Sequence, residues 1–201
     1  MTARVDDVLL VDRCLSGEVD ATRELFRRHR ARVHGSLYRV LGSNQDVDDL
    51  IQEAFLQVFV SLRSWRAEAS LATWIDRITV RVAFRYLRRR QGRETPSALD
   101  DDLLGEEGAG ITALRPSAAR RQMARDGVRK LYSVLATLSP AARIAFTLHE
   151  LEGRSIAEVA DLVGASVTAT KVRVWRSRRA VEAAALADPV LREFVGEEGG
   201  E

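Results

Sequence analysis

Apolar residues recur at three- and four-residue steps through almost the whole chain, and no stretch alternates convincingly between apolar and polar. This property constrains the fold most, because one segment cannot satisfy the periods of a helix and a strand together. The clearest case is Val47, Leu50, Ile51, Ala54, Phe55, Val58, Phe59 and Leu62, which form one buried face of a helix. Upstream, Glu18–Leu41 has the same character and stops at Gly42, and Asn44 or Asp46 is placed to cap the helix that follows. The chain is expected to be all-α.

Periodicity fails at length only once, from Gln91 to about Ala119, where Gly, Pro, Ser and a cluster of acids replace it. That is the composition of a flexible tether. The expected organisation is two small helical domains, an N-terminal helical bundle over 1–91 and a C-terminal helix-turn-helix domain over 123–187. A flexible acidic linker over 92–122 joins them, and an acidic tail over 188–201 follows. The hydrophobic share of 46% suffices for cores of this size.

The second domain is sharply punctuated. Ser139-Pro140 is an N-cap followed by proline at the first helical position, and Gly153 closes the helix that begins there. Ser155 and Glu158 make an S-x-x-E capping box. Gly164 ends that short helix, and only Ala165 and Ser166 separate it from the next, which is the spacing of a helix-turn-helix. On the second helix Val167, Thr170, Val174 and Val181 occupy a narrow arc expected to face the core. Ala169, Val172, Arg173 and Arg176 point the other way, with Lys171, Arg178 and Arg179 on the flanks. A recognition helix needs both exposed side chains for base edges and cations for phosphates. The plainer reading is a helical hairpin with a solvated basic face.

Charge is segregated although the formal net charge is only +2. Bases gather at Arg77–Arg93 and Lys171–Arg179, and acids at Asp100–Glu107 and at Glu197, Glu198 and Glu201. Within Leu71–Arg90 no acid follows Asp76, while Arg77, Arg81, Arg85 and Arg88 lie on neighbouring turns of one face. Like charges so placed repel by about 0.2–0.5 kcal/mol per pair. The stripe is therefore either a solvated face or a binding site for an anion. The same helix has two apolar faces, Trp74, Ile75, Ile78 and Val82 on one and Val80, Phe84 and Leu87 on the other, which wedges it between other helices.

Other chemistries find little support. The lone Cys14 can make neither an internal disulfide nor a zinc cluster, and it points to a reducing compartment. With no signal-peptide core and no bilayer-length apolar run, a cytoplasmic location without membrane insertion is expected. His29, His34 and His149 stand at no metal-ligand spacing, and "HELEG" lacks the second histidine of a zinc protease motif. No catalytic residue, metal or cofactor is expected.

Both domains resemble the extracytoplasmic-function (ECF, group IV) sigma factors of bacterial RNA polymerase. The carrying segments are "LFRRHRARVHGSLYRVLG", "DVDDLIQEAFLQVF" and "SWRAEASLATWIDRI" in the first domain. In the second the segment is "LSPAARIAFTLHELEGRSIAEVADLVGASVTATKVRVWRSRRA". The resemblance implies a sigma factor that binds core RNA polymerase, directs it to promoters and initiates strand opening. It implies a docking helix that meets the coiled-coil of the largest subunit, here through Asp49, Gln52, Glu53 and Gln57. It also implies a −10 melting element that holds duplex and then single-stranded promoter DNA. The positions concerned are Trp65, Arg66, Glu68, Ala69 and Ser70 at a pocket for an extruded base, and Arg77, Arg81, Arg85 and Arg88 along the strand. Trp65 and Trp74 are the aromatic candidates for stacking, Trp74 with the apolar face as its more natural place.

For the −35 element the resemblance implies Ala169, Lys171, Val172, Arg173, Arg176, Arg178 and Arg179, with Arg173 or Arg176 on guanine and Lys171, Arg178 and Arg179 on phosphates. Arg81 stands where the family usually has asparagine, Arg85 where it often has aspartate, and Val172 where serine is common. An anti-sigma protein is the further partner implied; the resemblance also implies that Asp100, Asp101, Asp102, Glu106 and Glu107 imitate RNA charge in a polymerase channel, and disorder without function explains the same composition equally well. Two rival readings remain. A stand-alone helix-turn-helix regulator leaves the Asp49–Gln57 face idle, and a sigma mimic that titrates an anti-sigma factor has no need of five cations in Lys171–Arg179.

Overall fold

A computed structural model describes residues 2–91 and 118–195. The acidic linker residues Asp100, Asp101, Asp102, Glu106 and Glu107, and the tail acids Glu197, Glu198 and Glu201, lie outside the described residues. Helices α1 (Thr2–Leu15), α2 (Val19–Leu41), α3 (Val47–Ser61) and α4 (Leu71–Arg90) build the first unit. The second comprises α5 (Ala118–Thr137), α6 (Pro140–Phe146), α7 (Ile156–Val163), α8 (Val167–Ala187) and α9 (Pro189–Val195), with α6 opening into a π-helical turn over Thr147–Leu151. The described residues contain no strand.

The α3 stripe is buried as its spacing requires, with Phe59 half-covered at the margin. Phe55 meets Phe26 of α2 with ring centroids 4.6 Å apart. The two-faced α4 packs on α2 and α3 and also on α6 and α7. Helix α1 has no counterpart in the sequence reading. Its Leu10 and Val11 are buried, and the Asp7 carboxylate accepts the Leu71 N–H at 3.2 Å. That bond satisfies one of the donors that the start of α4 leaves open. Beside it Ser70 Oγ accepts the Thr73 N–H at 3.1 Å.

At α3 the local cap is displaced by a tertiary partner. Asp46 occupies the N-cap position without a side-chain cap bond. Its carboxylate instead accepts the Tyr86 hydroxyl from α4 and lies 3.8 Å from Arg90. Gly42 ends α2 in the left-handed region at φ 72°. A Cβ there would fall 2.2 Å from the Tyr132 ring, so glycine is demanded twice.

The punctuation of the second unit is realised. Ser139 accepts the Ala142 N–H, the Ser155–Glu158 capping box is complete, Gly164 is left-handed, and Ser166 accepts the Ala169 N–H at 3.1 Å. Helix α5 starts at Ala118, upstream of Met123. Where only an acidic tail was read, α9 packs on α5, its start tied by Lys130 Nζ to Asp188 at 3.0 Å. One expectation fails: Val167 is 53% exposed. As the first residue of α8 it has no preceding turn to cover it, whereas Thr170 and Val174 are buried and Val181 packs on the smaller cluster of Tyr132, Leu135 and Phe146.

The two units also touch. Ile144, Ala145, Leu148, Val159, Leu162 and Val174 belong to the same continuous apolar cluster as the cores of α2, α3 and α4.

Candidate nucleic-acid interface

Cap, turn and core together fix how α8 presents itself. With Thr170, Val174 and Ser177 buried, Ala169, Lys171, Val172, Arg176 and Arg179 come to the surface, and Arg173 is half-buried. Ser177 Oγ lies 2.8 Å from Arg173 O of its own helix and 3.3 Å from Ala142 O of α6, at the seam between the two helices. Arg178 differs from its neighbours. Its guanidinium forks onto Glu150, with Nη2 2.7 Å from Oε1 and 3.0 Å from Oε2, so an acid already holds it. The sequence reading passed over Trp175, which is 59% exposed and has the Arg179 guanidinium 5.8 Å above its ring. A large aromatic outside the apolar arc of an arginine-rich helix was the available signal.

In the first unit the loop before α4 is held closed by its own groups. Trp65 packs against the core, and its indole N–H donates to Ala69 O at 3.2 Å, so Trp65 pins the two ends of the loop. Between them Ala67 is left-handed at φ 55°, a strain of about 1–3 kcal/mol for a residue with a Cβ. Arg66, Glu68 and Ser70 are exposed on this loop and Ala69 is half-covered. Trp74 is half-buried against the core.

The arginine stripe is less bare than its sequence suggests, because acids from other helices reach it. Arg77 forks onto Asp161 of α7, with Nη2 2.8 Å from both carboxylate oxygens. Arg85 Nη2 donates to Glu53 Oε1 at 2.8 Å, and Arg89 lies 3.6 Å from the other oxygen. Arg88 sits over the Phe84 ring at 5.8 Å. Arg81 is exposed and has no ion-pair partner among the described residues.

On the outer face of α3, Asp49 and Gln52 are exposed, while Glu53 and Gln57 are half-buried, with Gln57 Nε2 donating to Glu53 Oε1 at 3.4 Å. Glu53 is thus shared with Arg85 and is not a bare acid. The same face carries Leu56 at 65% and Val60 at 79% exposure. The reading from acids and amides missed both, although each stands outside the buried stripe. An apolar pair ringed by Asp49, Gln52 and Gln57 has the composition of a docking surface.

Elsewhere the chemistry is quiet. Burial pushes the Cys14 thiol up, away from thiolate reactivity. Among the described residues no group of three or more His, Cys, Asp or Glu side chains is placed to hold a metal ion, and no helix is long and apolar enough to cross a membrane.

Residues 25–93 match the family model of sigma-70 region 2, and residues 129–181 match that of sigma-70 region 4. The chain is 30% identical to the ECF RNA polymerase sigma-E factor of Haemophilus influenzae, over 90% of this chain and 96% of that one. Among solved structures it is similar to CnrH in complex with the cytosolic domain of CnrY, at 26% identity and a TM-score of 0.59 over 90% of this chain and 98% of that one. The sigma factor RpoE of Bartonella quintana, solved with the anti-sigma factor NepR, shares the fold at 19% identity and a TM-score of 0.56 over 85% and 99% of the two chains. With both regions matched in order, and a relative matched along nearly its whole length, the chain belongs to the ECF family of alternative RNA polymerase sigma factors.

Proposed function

We propose that this sigma factor docks on core polymerase through the outer face of α3, reads a −35 element with α8 and opens the −10 element at the loop before α4. The observation that carries the reading is the surface of α8. Lys171, Val172 and Arg176 emerge together just after a capped turn, where a recognition helix places its base-reading residues. Arg176 suits the bidentate contact to guanine, Val172 a thymine methyl, and Lys171 and Arg179 the phosphates. Arg173, half-buried, and Arg178, held by Glu150, serve position more than base identity.

At the −10 end, Arg66, Glu68, Ala69 and Ser70 line the exposed side of a strained loop that Trp65 holds in shape. Preformed loops of this kind lower the cost of holding a base out of its stack, which is a few kcal/mol. Arg81 and Arg88 then track the displaced strand, with Arg77 and Arg85 joining once their acids are released. Docking uses Asp49, Gln52 and Gln57 for charge-assisted and amide contacts and Leu56 and Val60 for apolar area, with Glu53 switching between Arg85 and the polymerase. A cytoplasmic location and an anti-sigma partner of the kind seen with the Bartonella protein accompany this reading.

Run-off transcription with core polymerase on promoter libraries tests it. Promoter-specific transcripts are expected, and unchanged background synthesis would refute it. Asp49→Arg combined with Val60→Glu, both on the surface, should abolish retention by core polymerase with helical content unchanged. Full retention would remove α3 as the docking face.

A further inference from the structure

The outward face of α8 is more apolar than its arginines suggest. At about 100° per residue, Thr168, Ala169, Val172, Trp175, Arg176 and Arg179 fall within one arc of roughly 120°, opposite the buried Thr170, Val174 and Ser177. All six are exposed, Val172 at 42% and Trp175 at 59%. Single apolar residues at a surface are ordinary, but these two are neighbours one turn apart, and Trp175 stands outside both apolar clusters. The Arg179 guanidinium lies 5.8 Å from the indole centroid on one side of the ring, which steadies the ring and leaves its other side open.

Lys171, Arg176 and Arg179 surround the pair with cations. An apolar centre with a cationic rim complements a surface that offers apolar groups between rows of anions. The major groove of a duplex, bounded by two phosphate strands, is such a surface. Within it the apolar group that a base edge presents is the methyl on C5 of thymine. Cytosine carries a methyl at the same place once it is methylated at C5, and uracil has none. Neither valine nor the face of an indole can read donors and acceptors, so a methyl is what they can recognise. Val172 and Trp175 are offset by about 4.5 Å along the helix axis, and base pairs by roughly 3.4 Å, so the pair covers two adjoining steps.

We propose that Val172 and Trp175 form one specificity-determining surface that reads the C5-methyl groups of two adjoining pyrimidines in the −35 major groove, thymine and 5-methylcytosine alike. The inference rests on the −35 reading of α8 above and deepens it. Arg176 reads a guanine, the apolar pair reads methyls, and Arg179 holds the indole as it meets phosphate. Each methyl covered by the pair strengthens binding about fourfold, the worth of one buried carbon. A cytosine at either step therefore becomes a better partner when methylated.

The test uses holoenzyme formed from the full chain and core polymerase, which first selects binders from a random duplex library. The selected −35 block is then resynthesised with each thymine in turn replaced by deoxyuridine, which deletes the methyl and keeps every hydrogen-bonding group. A second set carries cytosine or 5-methylcytosine at the same positions. Deoxyuridine should weaken binding about three- to fivefold at two adjoining positions and hardly at the others, and 5-methylcytosine should bind there about three- to fivefold more tightly than cytosine. Trp175→Ala and Val172→Ser, both on the surface, should each lose the preference for thymine over deoxyuridine at one step, while Trp175→Phe keeps part of it. A merely structural defect would weaken both duplexes together and leave their ratio unchanged. Equal binding of thymine and deoxyuridine duplexes by the parent would overturn the proposal, as would full discrimination by Trp175→Ala, or a selected block with no two adjoining thymines on either strand. Selection of a sequence without any response to the methyl removes this inference alone. Selection of no sequence removes the −35 reading of α8, and the methyl reading falls with it.

Discussion

Arg32 and Asp76 face each other as a fork, Nε 2.9 Å from Oδ1 and Nη2 2.7 Å from Oδ2. The carboxylate is buried and the guanidinium is about half in solvent, so the partners are unequal. Removing the buried charge strands the cations gathered around it, whereas removing Arg32 leaves Asp76 still bonded to Arg154. Asp76→Ala should cost about 3 kcal/mol in urea unfolding. Arg32→Ala should cost about 1 kcal/mol, since solvent screens an exposed partner. Equal losses would contradict this asymmetry.

Gly42 and Gly17 are both left-handed, at φ 72° and 89°, but only Gly42 is crowded. Gly17→Ala meets open space and should cost about 1 kcal/mol of backbone strain. Gly42→Ala adds a collision with the Tyr132 ring, and should cost about 3 kcal/mol or more in thermal or urea unfolding. The difference measures how firmly α5 is seated on the end of α2.

His29 is buried in α2, and its Nε2 has no hydrogen-bond partner among the described residues. Burial lowers its pKa from the ordinary 6.5, which the nearby Asp7 carboxylate offsets only in part. The unfolded chain then takes up the proton first. The stability His29 contributes is fully present above about pH 6.5 and is lost as pH falls through that value toward the lower folded one. Urea midpoints of the parent chain should drop between about pH 7 and pH 5.5. His29→Leu should flatten that limb, and an identical limb would place the acid sensitivity elsewhere.

Lys171 and Arg178 were read alike as phosphate contacts, yet only Arg178 is forked onto an acid. Lys171→Ala should therefore lower the salt slope of −35 duplex binding by about 0.9 per phosphate lost. Arg178→Ala should lower it less, because releasing Glu150 offsets part of what the phosphate gains. A reversed order would mean that the Glu150 fork is undone on DNA without cost.

The caps of the second unit, its turn and the buried stripe of α3 were all legible in the sequence, because each depends on residues within a turn or two of one another, whereas α9 was not. Ser155 and Glu158 form their capping box whatever surrounds them. Charge was legible only as composition. Arg77, Arg85 and Arg178 read as a bare stripe and flank until Asp161, Glu53 and Glu150 arrive from distant positions. Asp46 likewise reads as a cap until Tyr86 claims its carboxylate.

Local order was thus determined by the chain's own spacing, since a hydrogen bond between near neighbours needs only the right residue at the right step. The burial of Asp76 and Glu152 and the seating of one unit on the other were decided only by the tertiary structure. The reason is physical: a charge or an apolar group acquires its role from what the fold brings within a few ångströms of it, and sequence distance does not encode that.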